Sequence, residues 1–213
     1  MNVRINQVAL TFLPERALFL PGIKTLCIAD WHLGKAAHFR KSGIPVPQPG
    51  ISREFALIER LVETYDAGQV LFLGDLFHSV KNNDWHEFAG FVSNLPQIKF
   101  KLVKGNHDII PARFFEELDI EAAVSFTWEN RVIFTHEPLY DRTPEGLLNV
   151  AGHIHPGYSV RLKARQGVVL PCFHYSSPTL LLPAFGELTG FYRMERGAGQ
   201  EVYCILGNEV ILV

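Results

Sequence analysis

Apolar residues gather along this chain in runs that each close on a polar residue. The first, KTLCIAD from Lys24 to Asp30, is continuous enough to fill a strand buried on both faces, and it leaves Asp30 at the C-terminal end. A Pro/Gly break follows, GIPVPQPG from Gly43 to Gly50. Ser52 then offers an N-cap to a helix on which Phe55, Ile58, Leu61, Val62 and Tyr65 recur at helical spacing. The cycle repeats. QVLFLGD (Gln69 to Asp75) predicts a second buried strand, Asp84 to Leu95 a helix, and KFKLVKGNHD (Lys99 to Asp108) a third strand with its loop. The first half therefore reads β-α-β-α-β.

Pro111 to Leu118 predicts one more short helix, after which the periodicity changes. Val124 to Trp128, a Glu129-Asn130 turn and RVIFTHEP (Arg131 to Pro138) read as strand, turn and strand. Further strands are predicted around Val150, at Tyr158 to Lys163, Val168 to Cys172, Thr179 to Leu182 and Phe191 to Met194, and in a hairpin at Leu206-Gly207-Asn208. An α/β half followed by a β-rich half predicts two packed mixed sheets flanked by helices, an α/β (α+β) fold.

Composition fits that picture. With 213 residues, 47% hydrophobic and 20% charged, the chain can bury a large core as one domain spanning residues 1–213. The net charge of -2 gives no reason to expect tight, nonspecific attraction to nucleic acid or anionic membrane, although a local basic groove is compatible with it. Cys27, Cys172 and Cys204 are an odd count without CxxC spacing, so they read as buried reduced thiols. Pro14, Glu15 and Arg16 interrupt the early apolar stretch, and no apolar run approaches the ~20 residues of a membrane span. A cytoplasmic protein with no membrane partner is the expectation.

The polar residues that close the apolar runs are of metal-ligand type in five places: Asp30-Trp31-His32, Gly74-Asp75, Gly105-Asn106-His107-Asp108, Thr135-His136 and Gly152-His153-Ile154-His155. One such match is ordinarily a helix cap or a satisfied core histidine. Five in succession, all at strand C-termini where α/β folds gather their ligands, are better explained by a metal centre. Carboxylate and imidazole donors without thiolate suit manganese, iron or zinc at a catalytic site. A carboxylate can bridge two cations where a neutral imidazole binds one. Two cations about 3.5–4 Å apart can hold an activated hydroxide and both reacting oxygens of a phosphoryl displacement, and the residual positive charge would draw in an anionic phosphate.

The ordered series DWH, GDLFH, GNHD, TH and GHIH resembles the DxH, GDxxH/D, GNHD/E, H and GHxH pattern of the calcineurin-like metallophosphoesterases, from Asp30 to His155. The resemblance implies a four-layer α-β-β-α sandwich. It further implies two divalent metals, manganese with iron or zinc as alternatives. Asp30, His32, Asp75 and His155 would lie on one metal, and Asp75, Asn106, His136 and His153 on the other, with Asp75 as the bridge. His107 would be the general acid and Asp108 its orienting partner. Protein phosphatases of that superfamily carry GDxxDRG and GNHE; here GDLFHSV and GNHD stand instead, which removes the phosphatase Arg and leaves His78 as a substrate contact or a group holding a ligand in place.

A narrower resemblance, through DWHLGKAAHFRKSGIPVP and LPAFGELTG, is to the bacterial DNA ligase-associated phosphoesterases. It implies a phosphodiesterase or DNA endonuclease in DNA repair, functionally associated with a DNA ligase, a helicase and an exonuclease-like protein. Lys35, His38, Arg40 and Lys41 follow the first ligands and would line a groove for phosphates, with a solvated basic loop as the alternative. Arg161, Lys163 and Arg165 read as a solvent face, Arg142 as an exposed loop residue, and Phe88, Phe91, Phe114 and Phe115 as core. The competing functions are a small-molecule phosphodiesterase or phosphatase, acting on a cyclic nucleotide or nucleotide-sugar diphosphate, and a scaffold that has lost its metals.

Overall fold

The computed structural model describes residues 1–35, 43, 51–78, 83–161 and 167–213. Among these, a seven-stranded sheet runs in the order β1 to β7: β1 (Asn2–Ile5), β2 (Val8–Phe12), β3 (Leu18–Leu20), β4 (Thr25–Ile28), β5 (Gln69–Leu73), β6 (Lys99–Val103) and β7 (Glu121–Ala123). The first four strands pair antiparallel and β4 to β7 pair parallel. Helices α1 (Ile51–Thr64), α2 (Asn83–Ser93) and α3 (Ala112–Glu116) fall between the parallel strands. The alternating half was thus readable in the pattern. The described part of α1 is already under way at Ile51, so Ser52 lies within the helix rather than capping it.

The antiparallel meander β1–β3 was not apparent in the pattern. Asn6 and Gln7 both take positive φ, 46° and 66°, in the two-residue turn that right-twisted hairpins favour. Short strands and the Pro14–Arg16 interruption hide the alternation of buried Val8, Leu10 and Phe12 with more exposed neighbours.

The second sheet contains β8 (Ser125–Trp128), β9 (Val132–Thr135), β10 (Leu148–Ala151), β11 (Pro156–Arg161), β12 (Gly167–Ser176), β13 (Thr179–Leu181), β14 (Tyr192–Met194), β15 (Glu201–Leu206) and β16 (Glu209–Leu212). Within it β9, β10 and β13 run parallel. The two sheets pack face to face. Alternate residues of the central strands serve opposite sides: Leu26, Ile28, Val70 and Phe72 join the helices, whereas Cys27, Leu71 and Leu73 meet Val132, Phe134, Val150 and Leu180 of the second sheet. Phe12 seals that interface, stacked on Phe173 at 4.4 Å and edge-on to Tyr203 at 4.8 Å.

All three helices lie on the outer face of the first sheet. Among the described residues no helix covers the second sheet. Its outer face holds a small cluster of Cys172, Val202 and Cys204, against which Tyr158, Val160, Leu170, Ile211 and Val213 pack partly buried. The three cysteines are free and buried, as expected. No described helix is long and apolar enough to cross a membrane. Parallel strands from each sheet deliver their C-terminal loops to one shared edge, and the candidate chemistry lies there.

Candidate metal centre

Two loops form the floor of the site. Backbone N–H groups of Asp30, His32 and Leu33 donate to the carbonyls of Gly74, Asp75 and Leu76 at 3.2, 2.9 and 2.8 Å, so the loops after β4 and β5 run side by side. The C-terminal segment braces them from below. Phe185 N–H donates to Ala29 O at 2.8 Å, Phe185 packs edge-on to Trp31 at 5.4 Å, and Gly186 lies so close that a Cβ there would meet Trp31 O at 2.3 Å. This contact gives the LPAFGELTG stretch its structural role.

On that floor the polar side chains converge. Asp30 is fully buried and accepts the His153 N–H on both carboxylate oxygens, at 3.0 and 2.9 Å. His155 Nε2 lies 3.5 Å from Asp30 Oδ1. Asp75 faces both ways, with Oδ2 3.7 Å from His32 Nε2 and Oδ1 3.4 Å from His136 Nε2. His136 Nδ1 donates to Leu73 O at 3.0 Å, which leaves its Nε2 pointing at His153 Nδ1 only 3.1 Å away. Two groups result, Asp30-His32-His155 and Asp75-His136-His153, each with ligand atoms within 4.8 Å of one another. Five of these residues hold left-handed backbone, with φ of 51° at Asp30, 51° at His32, 47° at Asp75, 69° at His153 and 52° at His155.

These residues fit a pair of cations. Both ring nitrogens of His32 and the Nε2 of His155 are buried without a hydrogen-bond partner, an expensive state for a polar atom unless something else binds it. Two imidazole nitrogens meeting at 3.1 Å have the same explanation. Burial pushes the His32 pKa down to about 3, against the opposing pull of Asp75, so the ring is neutral and able to ligate near pH 7. A consequence follows for the metal-free protein. Between pH 6.5 and about 3 the unfolded chain binds a proton that folded His32 refuses. Stability should therefore fall as pH drops through that window. Thermal melts of chelator-treated wild type and His32→Asn should diverge in pH dependence there; parallel curves would count against it.

The third loop docks on the second. Asp75 Oδ1 accepts the His107 N–H at 2.9 Å, and the carboxylate of Asp108 accepts N–H groups from Leu76, Phe77 and Gly105 at 2.9, 3.3 and 2.8 Å. Burial raises the Asp108 pKa to about 6 despite those donors. The carboxylate expected to orient the His107 ring is thus engaged by three backbone groups, and it fastens two loops together. The His107 ring is stacked on His78 at 5.7 Å and lies 5.4 Å from His32, while His78 is 5.7 Å from His32. Both expected substrate-side histidines therefore border the first group. Lys35 is half-buried within electrostatic reach of Asp75 and Asp30; burial lowers its pKa against their pull. His38, Arg40 and Lys41 fall outside the described residues.

Several supporting residues escaped the sequence reading. Glu137 accepts from Asn106 Nδ2 at 2.9 Å and so turns the amide oxygen of Asn106 free; its adjacency to His136 was the available signal. Asn149, a polar residue inside the apolar run LNVA, is fully buried. Its amide donates to Thr135 Oγ1 and Ile133 O, and its oxygen accepts the Leu139 N–H at 2.8 Å, pinning the loop that carries His136. Trp31 donates its indole N–H to Glu54 of α1 at 2.8 Å, tying the first ligand turn to the helix layer.

The family model of the calcineurin-like phosphoesterases matches residues 23–189. No curated protein matches the chain. Among solved structures, a nuclease MPE from Pseudomonas putida is 26% identical, with 100% of this chain and 99% of that one covered and a TM-score of 0.82. A protein of unknown function from Aquifex aeolicus is 20% identical over 62% of this chain and 78% of its own, at a TM-score of 0.43. A phosphoesterase from E. coli is 14% identical over 89% and 97%, also at 0.43. The matched span runs from the strand before Asp30 to beyond His155 and takes in every residue of the converging site, and the chain belongs to the calcineurin-like phosphoesterase family.

Proposed function

We propose that this protein is a two-metal phosphodiesterase that cleaves DNA in a repair setting. The observation that carries the two-metal part is Asp75, buried and with one carboxylate oxygen turned to each histidine group. In this reading Asp30, His32, His155 and Asp75 would hold one cation, and Asp75, Asn106, His136 and His153 the other. Two divalent cations, manganese or alternatively iron or zinc, would supply Lewis acidity to the phosphoryl oxygens and lower the pKa of a coordinated water.

The remaining residues have separate tasks. Glu137 accepts the Asn106 amide N–H, which would leave the amide oxygen free to ligate. His107, at the solvent side of the first group, gives its proton to the leaving oxygen. Lys35 and His78 would contact the phosphate, the ammonium as a point charge and the imidazole as a donor. Asp108 keeps the His107 loop in place without touching its ring. The choice of DNA is supported by the likeness along the whole chain to the Pseudomonas putida nuclease, and by GDLFH in place of the protein-phosphatase motif. Association with a ligase, a helicase and an exonuclease-like protein belongs to the same reading.

The test is a substrate panel of DNA, cyclic nucleotide and aryl monoester with manganese added, run on wild type and His107→Ala. DNA cleavage is expected to dominate, and His107→Ala to lose about 10²–10⁴-fold in turnover with metal content unchanged. Fast cyclic-nucleotide turnover without DNA cleavage would replace the DNA reading, and full activity of His107→Ala would remove its role as acid.

A further inference from the structure

Phe, Tyr and Trp are mostly interior in this protein, and the exceptions are not scattered. Among the described residues, every exposed one belongs to Tyr140, Phe191 and Tyr192, with relative exposures of 46%, 40% and 66%. All three flank the ligand loops of the second sheet. Tyr192 heads β14, pairs with Pro156, and donates its backbone N–H to the carbonyl of His155 at 3.0 Å. Phe191 lies over Gly157, where a Cβ would meet it at 2.7 Å, and so anchors that end of the strand. Tyr140 opens a 3-10 turn four residues after His136, in the loop that Asn149 pins.

The two tyrosines approach each other from these separate loops. Each phenol lies within electrostatic reach of the other, and the Arg142 guanidinium, in the same turn as Tyr140, is within reach of Glu137. Tyr140 also holds φ of 50°, a region that bulky residues rarely occupy and that is found where a side chain is aimed for a purpose. Exposed, backbone-fastened rings beside a phosphate-handling centre have one natural occupant. A strand whose phosphodiester sits at the metals carries its bases to the rim, and every base presents a π-face that stacks on an aromatic side chain whatever its identity.

We propose that Tyr140 and Tyr192 form a stacking platform for the bases that flank the scissile phosphate of single-stranded DNA. This rests on the phosphodiesterase reading and adds to it a sequence-tolerant contact for unpaired bases. Paired bases stack on their own neighbours and leave no face for the tyrosines.

Binding of short fluorescent oligodeoxynucleotides, with bases and with an abasic stretch of the same length, tests the platform by anisotropy in manganese. A His107→Ala background suppresses cleavage. The base-bearing strand should bind more tightly than the abasic one. Tyr140→Ala and Tyr192→Ala should each cut that preference by about 5- to 150-fold, the worth of one stacked base. Tyr140→Phe and Tyr192→Phe should keep it, since the ring and not the hydroxyl stacks. Equal binding of both strands, or an unchanged preference in the alanine variants, overturns the platform. Cleavage of either strand by wild type reports separately on the phosphodiesterase. Cleavage without base preference leaves that activity standing and removes the platform, whereas absence of both binding and cleavage removes both.

Discussion

Asp75→Asn is expected to abolish hydrolysis and to leave the protein unable to hold two cations. The substitution preserves shape, and an amide oxygen can still accept the His107 N–H that Asp75 Oδ1 now receives at 2.9 Å. What it removes is the charge and the second ligating oxygen, and these are what allow one side chain to serve both histidine groups. Loss of a group that merely orients a ligand costs about 10–100-fold in affinity or activity. Removing the shared ligand should exceed about 100-fold in turnover. Elemental analysis after manganese incubation and desalting should show fewer than two equivalents of metal. If two equivalents remained with turnover intact, the bridging role would be lost and each metal would need a complete shell of its own.

Gly105→Ala should damage both stability and activity although Gly105 supplies no ligand atom of its own. A Cβ at this position would lie 2.3 Å from the backbone nitrogen of Asp75 and 2.4 Å from its Oδ1. The obstacle is backbone, held from the other side by the Asp30–Leu33 ladder, and it cannot swing away as a surface side chain would. Gly105 N–H also donates to Asp108, so a shift of the loop strains the clip between the second and third loops. Overpacking of this kind costs roughly 1–3 kcal/mol, or a fall of about 2–12 °C in Tm for a chain of this size. Turnover should fall further than stability, because Asp75 and His107 are displaced together. Wild-type melting and turnover would show that the loop relaxes freely, and the close-packed account of the site would have to be abandoned.

How much was legible in the sequence depends on the range over which each residue acts. Asp30, Asp75 and His136 each end a buried apolar run, so both their existence and their edge of the sheet could be read locally. The same holds for the alternation that splits Leu26 and Cys27 between two cores. The supports act at a distance. Phe185 and Gly186 brace a turn more than 150 residues earlier in the chain, and nothing near them announces that partner. Asn149 looks like a flaw in an apolar strand until its three hydrogen bonds are seen. The orienting role of Asp108 is what the resemblance implies, and the partners its carboxylate finds in space could not be read from the sequence. In a tight loop adjacent side chains diverge, and its carboxylate turns inward to backbone donors while the His107 ring faces out.

The left-handed backbone at Asp30, His32, Asp75, His153 and His155 bears on how this centre can vary. Asp and His are among the few side chains enriched in that region of conformational space. The residue types demanded by the cations and those tolerated by the turns coincide. A replacement that keeps a donor atom, such as Glu for Asp or Cys for His, still has to satisfy a main chain it does not suit. Redesign toward another metal would therefore do better to begin at Asn106 and His136, whose backbones carry no such restriction, and to leave the five doubly constrained positions alone.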